Sequence, residues 1–127
     1  MKKFLLSALA AVLLVACGKD DKCTQSDFVG VYTVQGEGCL LDGTSVKLTA
    51  TANGASALDM EWEDGSNTLT LDGPLQLTDC TGTLKLVDAP TETDLTMNAT
   101  LDGNTLKITY TGKFFGTQIN CTETFKK

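Results

Sequence analysis

The stretch Leu95 to Thr111, LTMNATLDGNTLKITYT, decides the fold of this chain. On both sides of Asp102-Gly103, apolar and polar residues alternate with a period of two, the period of a strand with one buried face. Asp-Gly is a favoured pair for a two-residue hairpin turn. With the turn placed there, the predicted apolar pairs are Ala99 with Leu106, Met97 with Ile108 and Leu95 with Tyr110. The stretch therefore predicts an antiparallel β-hairpin.

The same alternation, punctuated by Gly, Asn and Asp, continues through residues 28–127. Further turns are predicted at Gly65-Ser66, with Trp62 opposite Leu69, and at Gly112-Lys113, with Tyr110 opposite Phe115. The predicted strands are 28–35, 45–52, 57–63, 68–72, 74–79, 82–88, 93–101, 104–111 and 114–125. An all-β, up-and-down antiparallel meander of eight or nine such strands buries its apolar face and loses its free edges by closing into a small barrel. A two-sheet β-sandwich is the alternative.

Residues 1–16 have the pattern of a secretory signal peptide, with Lys2 and Lys3 followed by a short apolar run. Its end, Leu14-Val15-Ala16-Cys17, resembles the lipobox of bacterial lipoproteins. The resemblance implies that Cys17 is acylated, with palmitate among the fatty acids, and becomes the first mature residue. We therefore divide the chain into a signal peptide 1–16, a lipidated cysteine and tether 17–27, and a β-barrel domain 28–127.

Directly after the cysteine, Gly18-Lys19-Asp20-Asp21 resembles the export signal of surface lipoproteins in Bacteroidota, a lysine followed by acidic residues. The resemblance implies a lipid anchor in the outer membrane, with the domain at the cell surface, and assigns Lys19, Asp20 and Asp21 to the signal. A charged, solvated linker is the alternative.

The net negative charge of the chain limits which partners it can bind. Of 10 basic residues, all of them lysine, two lie in the signal peptide, which leaves eight against 16 acidic residues. Without arginine or a basic stripe, the mature protein is unsuited to nucleic acid, and its acidic surface is repelled by anionic headgroups. We expect it to contact the membrane through its N-terminal lipid, while a protein or glycan partner and the oligomeric state stay open.

Four cysteines remain once Cys17 is acylated, and an exported protein favours two disulfides. They are Cys23, Cys39, Cys80 and Cys121. If the first and last strands close the barrel as antiparallel neighbours, the end of the last strand runs beside the start of the first. That arrangement would join Cys23 to Cys121 and leave Cys39 for Cys80. The other two connectivities stay open.

The sequence favours a binding protein over an enzyme. It has no histidine, the commonest general base and metal ligand, so we expect no catalytic residue, no metal and no cofactor. One acidic group could suggest a calcium site or the catalytic carboxylate pair of a glycosidase: Asp59, Glu61, Glu63 and Asp64. Its members on the strand alternate with Leu58, Met60 and Trp62, however, which is typical of a solvent face.

Phe28-Val29-Gly30-Val31-Tyr32 resembles the opening of lipocalin-like barrels, where a glycine precedes an aromatic residue of the first strand by two positions. In lipocalins that aromatic residue is usually tryptophan, and an arginine late in the barrel closes over it; Lys126 and Lys127 are the residues available here. The resemblance implies a barrel that holds an apolar ligand.

Three functions follow: a non-catalytic surface module that binds protein or glycan, which we favour, a carrier of a small apolar ligand, and an inhibitor of an envelope hydrolase. Large side chains such as Trp62 and Met97 would fill most of a small barrel. Strand parity assigns Phe115 to the core and makes Phe114 the one candidate for an exposed aromatic contact. The residues that bind the ligand are unknown at this stage.

Overall fold

Alternation of apolar and polar residues builds nine strands in a computed structural model that describes residues 22–41, 43, 45–71 and 73–127. The strands are β1 (Gly30–Val34), β2 (Lys47–Asn53), β3 (Ala57–Asp64), β4 (Asn67–Thr70), β5 (Leu75–Thr78), β6 (Thr81–Asp88), β7 (Thr93–Asp102), β8 (Thr105–Phe114) and β9 (Thr117–Lys126). A one-turn helix, α1 (Gln25–Phe28), precedes them, and a 3-10 turn (Ala89–Thr91) follows β6. The predicted signal peptide, Cys17, Lys19, Asp20 and Asp21 lie outside the described residues.

The sheet closes into an antiparallel barrel of eight strands, in the order β1, β2, β3, β5, β6, β7, β8, β9. Closure comes from pairing of the first strand with the last, through Thr33 opposite Lys126 and Val34 opposite Phe125. Along most strands the inward residues are buried and the outward ones exposed, as on β7. The all-β meander and its barrel are therefore confirmed, and the sandwich alternative is wrong.

The ninth strand, β4, shares one side of β3 with β5. The second half of β3 pairs with β4, where Trp62 lies opposite Leu69 as predicted. Its first half pairs with β5, where Leu58 lies opposite Leu75. The other side of β3 is covered by β2 along its length. Thus β4 and β5 are two parts of one interrupted strand of the barrel wall.

The hairpin predicted over residues 95–111 forms, but its register differs from the prediction by two residues. Asp102 lies opposite Thr105, so Gly103-Asn104 is the turn, and Ala99 faces Ile108 rather than Leu106. A shift of two residues leaves every side chain on its predicted face, because side chains alternate with a period of two. The buried face was predicted correctly although its pairs were not.

The turn predicted at Gly112-Lys113 is wrong. Both residues lie within β8, and the turn is Phe115-Gly116, with Phe114 opposite Thr117. Gly112 has a φ of +126°, and a Cβ there would lie 2.1 Å from the carbonyl oxygen of Asp94. This glycine permits close approach of β7 rather than a chain reversal.

Most of α1 lies within residues assigned to the tether, before the barrel. The backbone N–H of Thr24 donates to the Asp27 carboxylate at 2.7 Å and caps α1. Gln25 Nε2 donates to the carbonyl oxygens of Gly54 and Ala57, which ties α1 to the β2–β3 turn. No helix among the described residues is long and apolar enough to cross a bilayer.

Two disulfides link the cysteines, but the predicted pairing is wrong. Cys23 is bonded to Cys80, and Cys39 to Cys121. The strands that close the barrel are antiparallel, so each step back along β9 from Phe125 is a step forward from Val34. Cys121, four residues before Phe125, therefore lies beside residue 38 and next to Cys39. On the β9 side, the start of β1 lies beside the last residue of the chain, Lys127, and not beside Cys121.

Candidate functional site: a lateral groove and a buried carboxylate

A groove opens in the barrel wall between β4 and the second half of β6. The strand β4 has β3 as its only partner among the described strands, and β5 covers β6 only from Thr81 to Thr83. The resulting space is about 270 Å³, and we call it the lateral groove. Its apolar lining consists of Leu69, Leu71, Leu86, Val87, Phe114 and Phe115.

Two of these apolar residues are largely open to solvent. Val87 is 69% exposed and Phe115 is 62% exposed, the two highest values among the large apolar side chains of the described residues. The Phe115 ring lies edge-to-face against Phe114, with ring centroids 4.6 Å apart. Phe114 is itself half-buried and packs on the core. The groove thus presents an apolar surface that the fold leaves uncovered.

The prediction for these two phenylalanines is reversed. Phe114 was expected outside and Phe115 in the core, because a turn at Gly112-Lys113 would have started a new strand at residue 114. With β8 continuing to Phe114, that residue keeps the inward parity of Tyr110. Phe115 moves into the turn with a φ of +49°, and its side chain points outward. The exposed aromatic side chain is therefore Phe115, one residue later in the chain than predicted.

Most polar side chains of the lateral groove already have partners. The Thr91 hydroxyl donates to the Asp88 carboxylate at 2.8 Å and lies 2.8 Å from the Thr93 hydroxyl. Thr93 in turn accepts the backbone N–H of Phe115 at 3.2 Å. Lys85 forms an ion pair with Asp94 at 3.3 Å. These bonds hold the 3-10 turn and the β8–β9 turn together at one end of the groove.

The lateral groove lies far from the end of the barrel at which the chain enters. The Cys23–Cys80 bridge marks the entry end, since Cys80 directly precedes β6. At about 3.3 Å per residue along β6, Lys85 and Val87 lie roughly 15 to 25 Å from that bridge. The groove is therefore at the end of the barrel opposite Cys23.

A carboxylate is buried inside the same barrel. Glu123, on β9, is 1% exposed. Its two oxygens accept hydrogen bonds from the Tyr110 hydroxyl and from the backbone N–H of Cys39, the latter at 2.8 Å. Burial raises the pKa of the Glu123 carboxyl above its usual value, and these hydrogen bonds only partly offset it. Burial likewise raises the pKa of the Tyr110 hydroxyl well above its ordinary value.

Trp62 completes this polar group within an otherwise apolar interior. Its indole N–H is fully buried and has no hydrogen-bond partner among the described residues, although it lies near enough to Glu123 to lower that pKa. Around it the largest fully buried side chains fill the barrel: Tyr32, Tyr110, Phe28 and Phe125. Sequence reasoning missed Glu123, yet it shares the inward parity of Cys121 and Phe125, and that parity was the available signal.

Of the acidic group of β3, Asp59, Glu61 and Glu63 lie on the outer face of the barrel, while Asp64 ends the strand. Asp59 and Glu61 are exposed, and Glu63 and Asp64 are partly so, while the alternate residues of the strand are buried. Asp59 accepts a hydrogen bond from the Asn53 amide at 2.9 Å. Within the part of the chain that the structure describes, no three potential metal ligands gather. The parity predicted for these residues is confirmed.

Comparison with known proteins gives no family. No protein-family model, no curated protein and no solved structure matches the chain significantly. The lateral groove and the sequence motifs are therefore the features that bear on function.

Proposed function

We propose that the protein is a non-catalytic binding module of the cell envelope, and that its lateral groove contacts a protein or a glycan. The observation that carries the proposal is the pair of exposed apolar side chains, Val87 and Phe115, over an uncovered apolar groove. Contiguous exposed apolar surface of this kind is typical of interaction sites.

In this proposal Cys17 carries the lipid that anchors the protein in the outer membrane, with Lys19, Asp20 and Asp21 directing the domain to the cell surface. The tether reaches the barrel at Cys23, which is bonded to Cys80. The lateral groove at the opposite end then faces away from the membrane. A site held roughly 15 to 25 Å from the anchored end suits a partner outside the bilayer.

A lipocalin-like ancestry is part of the same proposal. The Lys127 ammonium lies 5.4 Å from the centre of the Tyr32 ring, in the place where lipocalins set an arginine over an aromatic residue. Gly30 leaves room for that lysine, since a Cβ there would lie 3.0 Å from Lys127 Cδ. The interior, however, is filled by Trp62 and its neighbours, which favours binding in the wall over carriage of a ligand inside.

Site-specific crosslinking in living cells tests the role of the groove. A photoreactive benzophenone side chain placed at Val87 should give covalent adducts of higher mass, and the same probe at Val31 should give none. Val31 is a matched control, because it is an exposed valine on β1 at 58% exposure and lies away from the groove. Phe115→Ser should remove the Val87 adducts. Equal labelling at both positions, or none at Val87, contradicts the proposal.

A further inference from the structure

The free edge of β6 shows what kind of ligand the lateral groove can take. The backbone N–H of Leu101 donates to the carbonyl oxygen of Cys80 at 2.9 Å, so Cys80 directs its backbone polar groups toward β7. In an antiparallel ladder successive residues direct these groups to opposite sides. Even-numbered residues of β6 therefore bond to β7, and odd-numbered residues face the other way. Thr81 and Thr83 face β5 and pair with it.

The next odd-numbered residues, Lys85 and Val87, have no strand opposite them among the described residues, because β5 begins only at Leu75 and pairs no further than Thr83. Their N–H and C=O groups point into the lateral groove. Across the groove, the outer edge of β4 also has no partner among the described strands. In a two-residue hairpin the residues beside the turn bond to each other, so Asn67 faces β3 and Thr68 and Thr70 face the groove.

The geometry points to an extended segment of a partner protein as the ligand, bound in the lateral groove by pairing its backbone with Lys85 and Val87 of β6. This inference rests on the proposed function and names its ligand. A strand added to an exposed edge gains main-chain hydrogen bonds, and its alternate side chains enter the groove. Leu71, Leu86 and Phe114 provide the apolar floor for them.

The groups that remain free favour a peptide over a glycan. A sugar is held by polar side chains, and most of those in the groove are already bonded: Thr91 to Asp88, Thr93 to the Phe115 amide, and Lys85 to Asp94. What the groove offers instead is unpaired backbone and apolar surface. Both are the complement of an extended apolar peptide.

Charge adds a second property of the partner. Asp88 lines the groove, a neighbouring depression that shares Val87 with it holds Glu92, Asp94 and Lys113, and the whole chain has 16 acidic residues against 10 basic ones. Lys85 is the one basic residue of the lining, and it is paired with Asp94. We therefore expect a segment whose inward residues are apolar and whose outward residues include lysine or arginine.

Selection from a random library of displayed twelve-residue peptides, with the purified protein as target, tests this inference. The enriched peptides should alternate apolar with basic or neutral residues. A synthetic peptide of the enriched sequence should slow hydrogen exchange at the Lys85 and Val87 amides. Its affinity should fall at least tenfold for Val87→Pro, which removes one edge N–H without breaking a bond to β7.

Val31→Pro is the control variant, since Val31 is also an exposed valine on a strand, and it should bind the peptide within twofold of the wild type. Thermal unfolding of both variants checks that they fold. If Val87→Pro fails to fold, hydrogen exchange in the wild type still decides, because it needs no substitution.

Parallel screening of a glycan array separates the inference from the proposed function. Glycan binding that is lost in Phe115→Ser, with no enriched peptide, overturns the peptide inference and leaves the groove as the binding site. Peptides that bind equally well to wild type and Val87→Pro also overturn the inference. A dimer in sedimentation that Val87→Pro abolishes would assign the edge to a second copy of the chain and overturn it as well. Binding that neither Phe115→Ser nor Val87→Pro affects contradicts both proposals.

Discussion

The backbone N–H of Cys39 donates to the Glu123 carboxylate at 2.8 Å, two positions along β9 from Cys121, the cysteine to which Cys39 is bonded. One residue of the β1–β2 loop is thus held to the barrel twice, by a covalent bond and by a hydrogen bond. The buried carboxylate and the disulfide act on the same loop.

The stability of the protein should fall as pH rises above the ordinary value for glutamate. The Glu123 pKa is raised in the folded state, so the native protein holds this proton more tightly than the unfolded chain. Its contribution is most favourable below about pH 4.5 and declines as pH rises through the folded pKa. Urea midpoints across this range should show that slope in the wild type and lose it in Glu123→Gln.

Glu61→Gln is the matched control for this experiment, because Glu61 is exposed on the outer face of β3. It should keep the slope of the wild type. An unchanged slope in Glu123→Gln would contradict the assignment to Glu123.

A second carboxylate, Asp27, affects stability at lower pH. Hydrogen bonds from Thr24 lower the pKa of Asp27, so its contribution to stability is present above about pH 3.8 and is lost as pH falls.

The disulfide pairing gives a prediction about stability. Replacing Cys39 and Cys121 together with alanine should cost up to about 4 kcal/mol, because their bond closes a long loop in the unfolded chain. The paired replacement of Cys23 and Cys80 should cost a similar amount. Peptide mapping without reduction should recover these two linked pairs, and a fragment joining Cys23 to Cys121 would refute the pairing.

Gly112 should tolerate a side chain far less than a glycine of the neighbouring turn. A Cβ at Gly112 would lie 2.1 Å from the Asp94 carbonyl oxygen, whereas one at Gly103 would meet nothing within 4 Å. Both residues have positive φ, so Gly103→Ala measures the conformational cost alone, about 1 kcal/mol. Gly112→Ala should cost roughly 3 kcal/mol or more by denaturant unfolding. Equal costs would show that the β7–β8 contact is not tight.

Acylation of Cys17 is tested by metabolic labelling with palmitate. Cys17→Ser should abolish the label and leave an unprocessed or soluble protein, because the resemblance to the lipobox makes this sulfur the acceptor. The double variant Cys39→Ala with Cys121→Ala is the control, since it keeps Cys17 and should keep the label. Absence of label from the wild type would exclude the anchor.

The predicted location of the domain at the cell surface is tested by protease treatment of intact cells. Replacing Lys19, Asp20 and Asp21 with alanine should leave the protein lipidated but protect it from protease, if these residues direct it to the surface. Alanine at Asp59 and Glu61 removes exposed charge elsewhere and should leave the protein accessible. Accessibility that does not change in the triple variant would favour a simple linker.

The face of each strand could be predicted from the sequence more reliably than its partner. A period of two placed Met97 and Ile108 inside, but only the turn fixes which residues meet, and here Gly103-Asn104 reverses the chain where Asp102-Gly103 was expected. At the next hairpin Gly112-Lys113 had the stronger turn signal. Phe115-Gly116 forms the turn instead, because Phe115 accepts a positive φ that glycine usually supplies.

The lateral groove could not be predicted, because it depends on which strand β4 and β5 pair with. The sequence predicts two strands here, 68–72 and 74–79, but nothing in their alternation shows that both pair with the same strand, β3, on its two halves. The partners of Glu123 were equally hidden, since Tyr110, Trp62 and Cys39 come from three distant parts of the chain. Such contacts follow from barrel closure rather than from local sequence.

The Cys23–Cys80 bond also sets the path of mechanical load through the molecule. A pull on the residues before Cys23 would otherwise act on β1 alone, a five-residue strand that could be peeled from its neighbours one hydrogen bond at a time. With the bond in place, the force divides between α1, which leads into β1, and the turn that joins β5 to β6; β1 and β6 are separated by β2, β3 and β5 in the barrel wall. A load on the residues before Cys23 is thus shared by strands in two parts of the barrel wall instead of acting on one.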